Sequence, residues 1–411
     1  MQADAKRSFC TQTLRQIVHT SIGGTRARVQ ISNLFGTQPL KIEDAHIAQL
    51  TSGAAIDLQT DRTLLFHGQR YITIAPGASA LSDPVNFAVP PFADVAISFY
   101  LPQSSASPTI NPASHQTNYI AAGDVSGQAA FTNATATGSW YYITSLQVEA
   151  LSSQGAIVTL GASITNGYKA TDDTNHRWPD LLAQRLRKAG MNMAMLNAGI
   201  GGNRLHVDGA GPKATTRFEH DVLAQPGIRW VIFSDDPIND LGSTHPQPTA
   251  VTLIAGVEQL IARAHQHGVS FLCSTLTPYE GANYWNEQGE AAREKMNAFL
   301  RSSASGCDGI VDQDTATHDP ARPTRFLPAY DSGDHLRPND AGMQAIANAV
   351  PLTLFDPAVP AQLDKQNHLG REVHLSTRPQ SWTARRLVSC FTARNEIKKK
   401  RFSKANAAIY R

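Results

Sequence analysis

No run of this 411-residue chain approaches the roughly 20 consecutive apolar residues that a membrane-spanning helix needs, and that absence excludes a helical membrane protein. Cysteine is scarce as well. Cys10, Cys273, Cys307 and Cys390 lie far apart, without the close spacing of a metal site or a redox pair, so neither a metal nor a cofactor is expected. Cys273 follows Phe271 and Leu272 in an apolar, strand-like run and reads as a small core residue. A dominant charge is also missing, the formal balance being +2. It is unevenly spread: residues 361–411 hold 12 Lys+Arg against 3 Asp+Glu, which leaves the preceding 360 residues at −7. A mildly acidic body offers no argument for nucleic acid or an anionic membrane as partner. Residues 1–9, a short leader with Asp4, Lys6 and Arg7, lack the apolar stretch of a secretory signal. As written, the chain is not addressed for export.

What is present is ordinary globular composition, with 41% hydrophobic and 17% charged residues, and a length that suggests two cores. From about Thr13 to Val148 the pattern has period two. Ala27, Val29 and Ile31 alternate with Arg26, Arg28 and Gln30, and Val95, Ile97 and Phe99 with Ala96 and Ser98. Turn punctuation such as Gly23-Gly24 and Pro90-Pro91 separates the runs, so residues 10–150 read as an antiparallel β-sandwich. From about Gln154 short apolar runs alternate with amphipathic stretches, the mark of βαβ units around a parallel sheet. Strands are expected at Ala156–Leu160, Met193–Asn197, Trp230–Phe233 and Ser270–Ser274. Helices are expected behind Pro179, from Thr249 with Val251, Ile254, Val257, Leu260 and Ile261 on one face, and from Asn339 to a stop at Pro351. This α/β domain spans residues 153–357. Residues 358–411 lose all periodicity, end near Lys398-Lys399-Lys400-Arg401, and read as a basic, disordered tail.

Four segments carry candidate chemistry. The first α/β strand runs into Gly161-Ala162-Ser163-Ile164-Thr165, which puts a serine at the carboxyl edge of a parallel sheet, where ligand sites of such sheets lie. Alone, Ser163 and Thr165 could equally cap the next segment, and Thr165 stands where an α/β-hydrolase elbow has glycine. The second strand ends in Asn197-Ala198-Gly199-Ile200-Gly201-Gly202-Asn203-Arg204, a turn whose backbone N–H groups can approach a ligand closely or can simply turn the chain. The third ends at Pro237-Ile238-Asn239-Asp240. An asparagine amide there can donate to a developing oxyanion or act as a turn former. Asp334-His335-Leu336-Arg337-Pro338 precedes the final helix, with Asp334 and position 337 on one side of a helical turn.

In this order and spacing, the four segments resemble the SGNH (GDSL-like) hydrolases over residues 153–357. The likeness extends to Arg177-Trp178-Pro179-Asp180 and Thr275-Leu276-Thr277-Pro278. Residues 10–150 resemble the β-sandwich that precedes the esterase domain in one bacterial branch, as in Leu14-Arg15-Gln16-Ile17-Val18-His19 and Ser32-Asn33-Leu34-Phe35-Gly36. The resemblance implies a three-layer αβα, flavodoxin-like fold and hydrolysis of carboxylic esters through an acyl-serine intermediate. Ser163 would be the nucleophile, Asp334 the triad aspartate, and the Ser163 and Gly202 N–H groups with the Asn239 amide the oxyanion hole. The implied substrate is a small ester or an acylated carbohydrate. The branch is mostly extracellular or periplasmic, against cytoplasmic if residue 1 is the true start.

The sequence departs from the family inside its motifs. The family's Asp-x-x-His-Pro here places Arg337 where the base should be. Arginine stays protonated at any accessible pH and cannot take the Ser163 proton, although a bidentate contact with Asp334 would hold the loop. His335 is adjacent but faces another way on a turn. Ala162 replaces a carboxylate that braces the nucleophile loop in the family. Pro237 lacks an N–H and threatens the aim of Asn239. These changes favour a silenced esterase scaffold. The alternatives are a non-catalytic carbohydrate-binding pseudoenzyme, a degenerate gene copy, or residual hydrolysis with another base.

Overall fold

The computed structural model describes residues 1–4, 7–150 and 152–355. The whole of the tail expected at 358–411 therefore lies outside the described residues, Cys390 with it. The period-two region builds two antiparallel sheets. In one, β1 (Gln12–His19) pairs with β5 (Asp94–Leu101), which also pairs with β3 (Asp44–Ser52). In the other, β2 (Gly24–Ser32) pairs with β4 (Val85–Val89) and β6 (Ile143–Val148). Their apolar positions meet in a shared core, Leu14, Ile97 and Phe99 from one sheet against Val29, Ile31 and Phe87 from the other. This is sandwich packing driven by burial of two apolar faces. The leader expected at residues 1–9 departs from its sequence reading: Gln2–Ala3 pairs with Thr109–Ile110, and Phe9 is fully buried in the sandwich core. An aromatic ring of this size gains too much by burial to stay in a free arm.

The α/β domain has one parallel sheet of five strands, β7 (Ala156–Gly161), β8 (Ala194–Gly199), β9 (Ile228–Phe233), β10 (Ser270–Ser274) and β11 (Gly309–Val311). The spatial order is β8-β7-β9-β10-β11, the doubly wound order whose switch point lies between β7 and β9. Strand alternation sends Ile157, Ile232 and Leu272 to one face and Val158, Val231, Phe233 and Phe271 to the other. The first face is covered by α2 (Trp178–Lys188) and α6 (Asp340–Ala349), the second by α4 (Ala250–Gln266) and α5 (Glu287–Leu300). The expected stripe on α4 is shifted: Leu253, Val257, Leu260 and Ile261 are buried, whereas Val251 is 76% exposed. It lies in the first turn of the helix. The last helix matches its signals, since the Asn339 side chain caps the Gly342 N–H and the helix stops at Ala349, before Pro351.

Cys273 is not a free core thiol. It forms a disulfide with Cys307, with Cα atoms 5.8 Å apart. Pairing of neighbouring parallel strands β10 and β11 brings together cysteines 34 residues apart, and closing such a loop removes about 4 kcal/mol of unfolded-chain entropy. Cys10 is exposed and free.

The sandwich and the α/β region keep separate apolar clusters and are joined by polar contacts. Buried Arg177 donates to Ser114 O at 2.8 Å, Asn175 Oδ1 at 2.9 Å and Asp180 Oδ2 at 2.6 Å. Asn166 donates to Ala113 O at 2.8 Å, and the Met195 N–H donates to Ser21 Oγ at 2.9 Å.

Candidate active site

Strand β7 ends at Gly161, and the chain turns at once into α1 (Ser163–Asn166), whose first residue is Ser163. The turn is held from across the sheet. Asp235, just beyond the end of β9, accepts from the Ala162 N–H at 2.8 Å, the Ile164 N–H at 2.7 Å, the Thr165 N–H at 3.3 Å and Thr165 Oγ1 at 2.7 Å. With alanine at position 162, the carboxylate that braces the turn is that of Asp235. Gly161 is required here, because a Cβ at that position would lie 2.5 Å from Asp235 Oδ1. At the far end of α1, Gly167 adopts φ 95° and returns its N–H to Ser163 O.

Asp235 consumes the N–H groups on both sides of Ser163 but not that of Ser163 itself. Among the described residues neither the Ser163 nor the Gly202 N–H has a recorded hydrogen-bond acceptor. Gly202 sits at φ 78°, a left-handed conformation that glycine adopts without strain. Its loop is tied to α3 (Asp236–Ser243): Asn239 Nδ2 donates to Asn203 O at 2.9 Å, and Asp240 accepts from the Leu205 and His206 N–H groups. The Tyr284 hydroxyl donates to Asn239 Oδ1 at 3.0 Å and fixes which end of the amide is which. Helix α3 accommodates Pro237 without loss of a backbone bond. The proline falls in its first turn, where a missing N–H removes no intrahelical bond.

The opposite wall is the loop before α6. Asp334 Oδ1 accepts from the Leu336 and Arg337 N–H groups at 3.0 and 2.9 Å, and Oδ2 from Arg337 Nη1 at 2.8 Å. Burial pushes the Asp334 carboxyl up, but the Arg337 guanidinium and these backbone donors outweigh it and hold it below the ordinary carboxylate range. The expected bidentate pair does not form. The Arg337 fork is split, with Nη1 on Asp334 and Nε donating to Ser163 Oγ at 3.2 Å, while its Cζ lies 4.6 Å from the Tyr168 ring centroid. His335 points elsewhere, with Nδ1 on Asp331 Oδ2 at 2.5 Å and its side chain 54% exposed. The structure therefore joins Ser163, Asp334 and Arg337 in one hydrogen-bonded chain and ties Gly202 and Asn239 together in one loop pair.

Sequence reasoning missed Asp235, Tyr168, Tyr284 and Arg217. Arg217 is buried and reaches Asn203 Oδ1 at 2.9 Å, Gly161 O at 3.0 Å and Asp221 Oδ2 at 3.1 Å, fastening the nucleophile strand to the glycine loop. The available signal was Arg217 and Asp221, four apart on a helical stretch. Beside them Asp236 is wholly buried, and neither carboxylate oxygen has a hydrogen-bond partner among the described residues. Burial, reinforced by Asp235 and Asp240, pushes its carboxyl up to about 7 against the opposing pull of Arg217. No group of three or more ligating side chains able to hold a metal occurs among the described residues.

Residues 159–345 match the family model described as the GDSL-like Lipase/Acylhydrolase family. The chain carries a GDSL-like lipase/acylhydrolase domain. Among solved structures, this chain is similar to the lipase/acylhydrolase from Enterococcus faecalis, at 18% identity over 48% of this chain and 93% of that one, with a TM-score of 0.38. A mutant of an acetyl-xylooligosaccharide esterase from Geobacillus Stearmophilus matches at 19% identity over 50% and 96%, with a TM-score of 0.39. A carbohydrate acetylesterase from Sinorhizobium meliloti matches at 13% over 48% and 96%, also with a TM-score of 0.39. No curated protein matches the sequence.

Two outcomes follow for the GDSL-like domain. Asp235→Ala leaves several buried donors without an acceptor, each costing about 1–3 kcal/mol; the urea midpoint should fall sharply, and an unchanged midpoint would show that Asp235 is not the brace. Asp236 binds a proton in the fold that the unfolded chain has released, so its contribution to stability is full below pH about 4 and is lost as pH rises towards about 7. Melting curves of the native chain should therefore fall between pH 5 and pH 8 more than those of Asp236→Asn. Equal falls would mean that Asp236 titrates normally.

Proposed function

We propose that this chain is a serine carboxylic-ester hydrolase scaffold in which Arg337 holds the nucleophile unreactive. The GDSL-like domain is an ester-hydrolase scaffold at the family level, and the observation that carries the finer reading is the Arg337 Nε to Ser163 Oγ hydrogen bond. In an active site of this design, Ser163 Oγ attacks the ester carbonyl and a base accepts its proton. The alcohol then leaves, and water releases the acid from the acyl-serine. The developing oxyanion would be met by the Ser163 and Gly202 N–H groups and by the second proton of Asn239 Nδ2, each donor worth about 3–4 kcal/mol.

Arg337 supplies no base. Its Nε–H donates to the oxygen that should attack, so a serine lone pair is occupied and its proton has no acceptor on that side. The same bond favours a second reading, in which the cleft binds small acyl or acetyl esters without turning them over. The Cys273–Cys307 disulfide supports an oxidising compartment, extracellular or periplasmic, as the place of action.

Loss of a triad base costs about 10⁶-fold, while an oxyanion hole without it retains roughly 10³–10⁴ over water. The native chain should be nearly silent towards p-nitrophenyl acetate. Arg337→His should raise the rate by several orders of magnitude, in a manner abolished by Ser163→Ala and falling at acid pH near the reference imidazole value of about 6.5. Vigorous hydrolysis by the native chain, unaltered by Arg337→His, would assign the base to another residue and overturn this reading.

A further inference from the structure

Arginine at position 337 changes what the cleft can recognise. Ser163 Oγ accepts from Arg337 Nε at 3.2 Å, which leaves the serine's own proton free to donate. Nη1 is spent on Asp334. Nη2, on the same edge of the planar guanidinium as Nε, has no acceptor among the described residues. The Ser163 and Gly202 N–H groups have none either, and Asn239 Nδ2 uses one of its two protons on Asn203 O. The serine turn and the glycine loop are neighbours, because the Ile200 N–H donates to Gly161 O at 3.0 Å and buried Arg217 bridges Gly161 O and Asn203 Oδ1.

The acceptors nearby are already committed. Asp334 Oδ1 takes two backbone N–H groups and Oδ2 takes Nη1, while both oxygens of Asp235 are filled by residues 162–165. A neutral histidine at 337 would have turned an acceptor nitrogen towards Ser163, whereas arginine has donors alone. The cleft therefore offers donors without a free acceptor, beside a guanidinium. Lys169 adds positive potential: its Nζ lies 5.9 Å from the centroid of Tyr168, the ring that also packs on Arg337, and it has no ion-pair partner among the described residues.

An ionised carboxylate is the organic group that answers such an array. It accepts only, through about four lone-pair sites on its two oxygens, and its bonds to a guanidinium or a backbone N–H are roughly twice as strong as those of an uncharged carbonyl. We infer that the Ser163 cleft is a receptor for a carboxylate anion, bound by Arg337 Nη2 and the Ser163 and Gly202 N–H groups in preference to the corresponding ester. The inference rests on the silenced-scaffold reading, since it needs Arg337 to stand against Ser163 in place of a base.

The test is isothermal titration calorimetry of the full chain, at constant ionic strength, with butyrate and with butyramide, which has the same shape but no charge and carries donors of its own. Butyrate should bind saturably, one per chain, and roughly tenfold or more tighter than butyramide. Arg337→Gln, which keeps an amide and loses the charge, should weaken butyrate by roughly tenfold or more, with a thermal melt to confirm folding; the comparison of the two ligands on the native chain needs no variant. Ser163→Ala should keep butyrate affinity within about threefold, because the freed Nε–H replaces the lost hydroxyl donor. No saturable butyrate binding, equal affinity for butyramide, undiminished binding by folded Arg337→Gln, or loss of binding in Ser163→Ala would each overturn the inference. Turnover of p-nitrophenyl acetate by the same preparation judges the silenced-scaffold reading separately: a silent chain that ignores butyrate overturns this inference alone, and vigorous hydrolysis overturns the other.

Discussion

The geometry of the site depends on one carboxylate. Asp235 reaches from the end of β9 to the turn after β7 and accepts four hydrogen bonds from Ala162, Ile164 and Thr165. Backbone donors at a helix start have no partners of their own, and buried donors are expensive to leave unpaired. Asp235 satisfies those flanking Ser163 and spares the Ser163 N–H. Ser163 is thereby fixed at the switch point of the sheet, its own N–H left free of Asp235. Arg217 and Asn239 then bring the glycine loop alongside, through Gly161 O, Asn203 Oδ1 and Asn203 O.

On this frame, position 337 decides the chemistry. A neutral imidazole there would accept a proton from serine and pass its own polarity to Asp334. The guanidinium satisfies Asp334 as well as an imidazole could and reverses the direction of the bond to Ser163, donating where acceptance is needed. Packing against Tyr168 keeps it in place.

The repetitive parts of this architecture were legible in the sequence. Strand runs such as Ser270–Ser274, the Asn339 cap and the Pro351 stop obey local rules that a single sequence displays. The order of the motifs along the chain singled out Ser163, Gly202, Asn239 and Asp334 as candidates. What escaped is what forms only when distant segments meet. Asp235 lies next to Asp236 in a loop and looks like turn chemistry, though it braces residues some 70 positions earlier. The Cys273–Cys307 bond spans 34 residues with no spacing motif to announce it. The split fork of Arg337 depends on where Ser163 stands in space, which no pattern in residues 331–340 encodes. The same holds for the polar contacts through Arg177 and Asn166, which make the sandwich a neighbour of the nucleophile turn.

The central claim is that Ser163 is correctly placed and lacks only a base. Covalent labelling separates placement from turnover. The native chain, Arg337→His and Arg337→His with Ser163→Ala would each be incubated with a fluorophosphonate, and the modified peptide identified by mass spectrometry. The account predicts negligible labelling of the native chain, rapid stoichiometric labelling at Ser163 in Arg337→His, and none in the double variant. Rapid labelling of Ser163 in the native chain, or an adduct on another residue in Arg337→His, would contradict it.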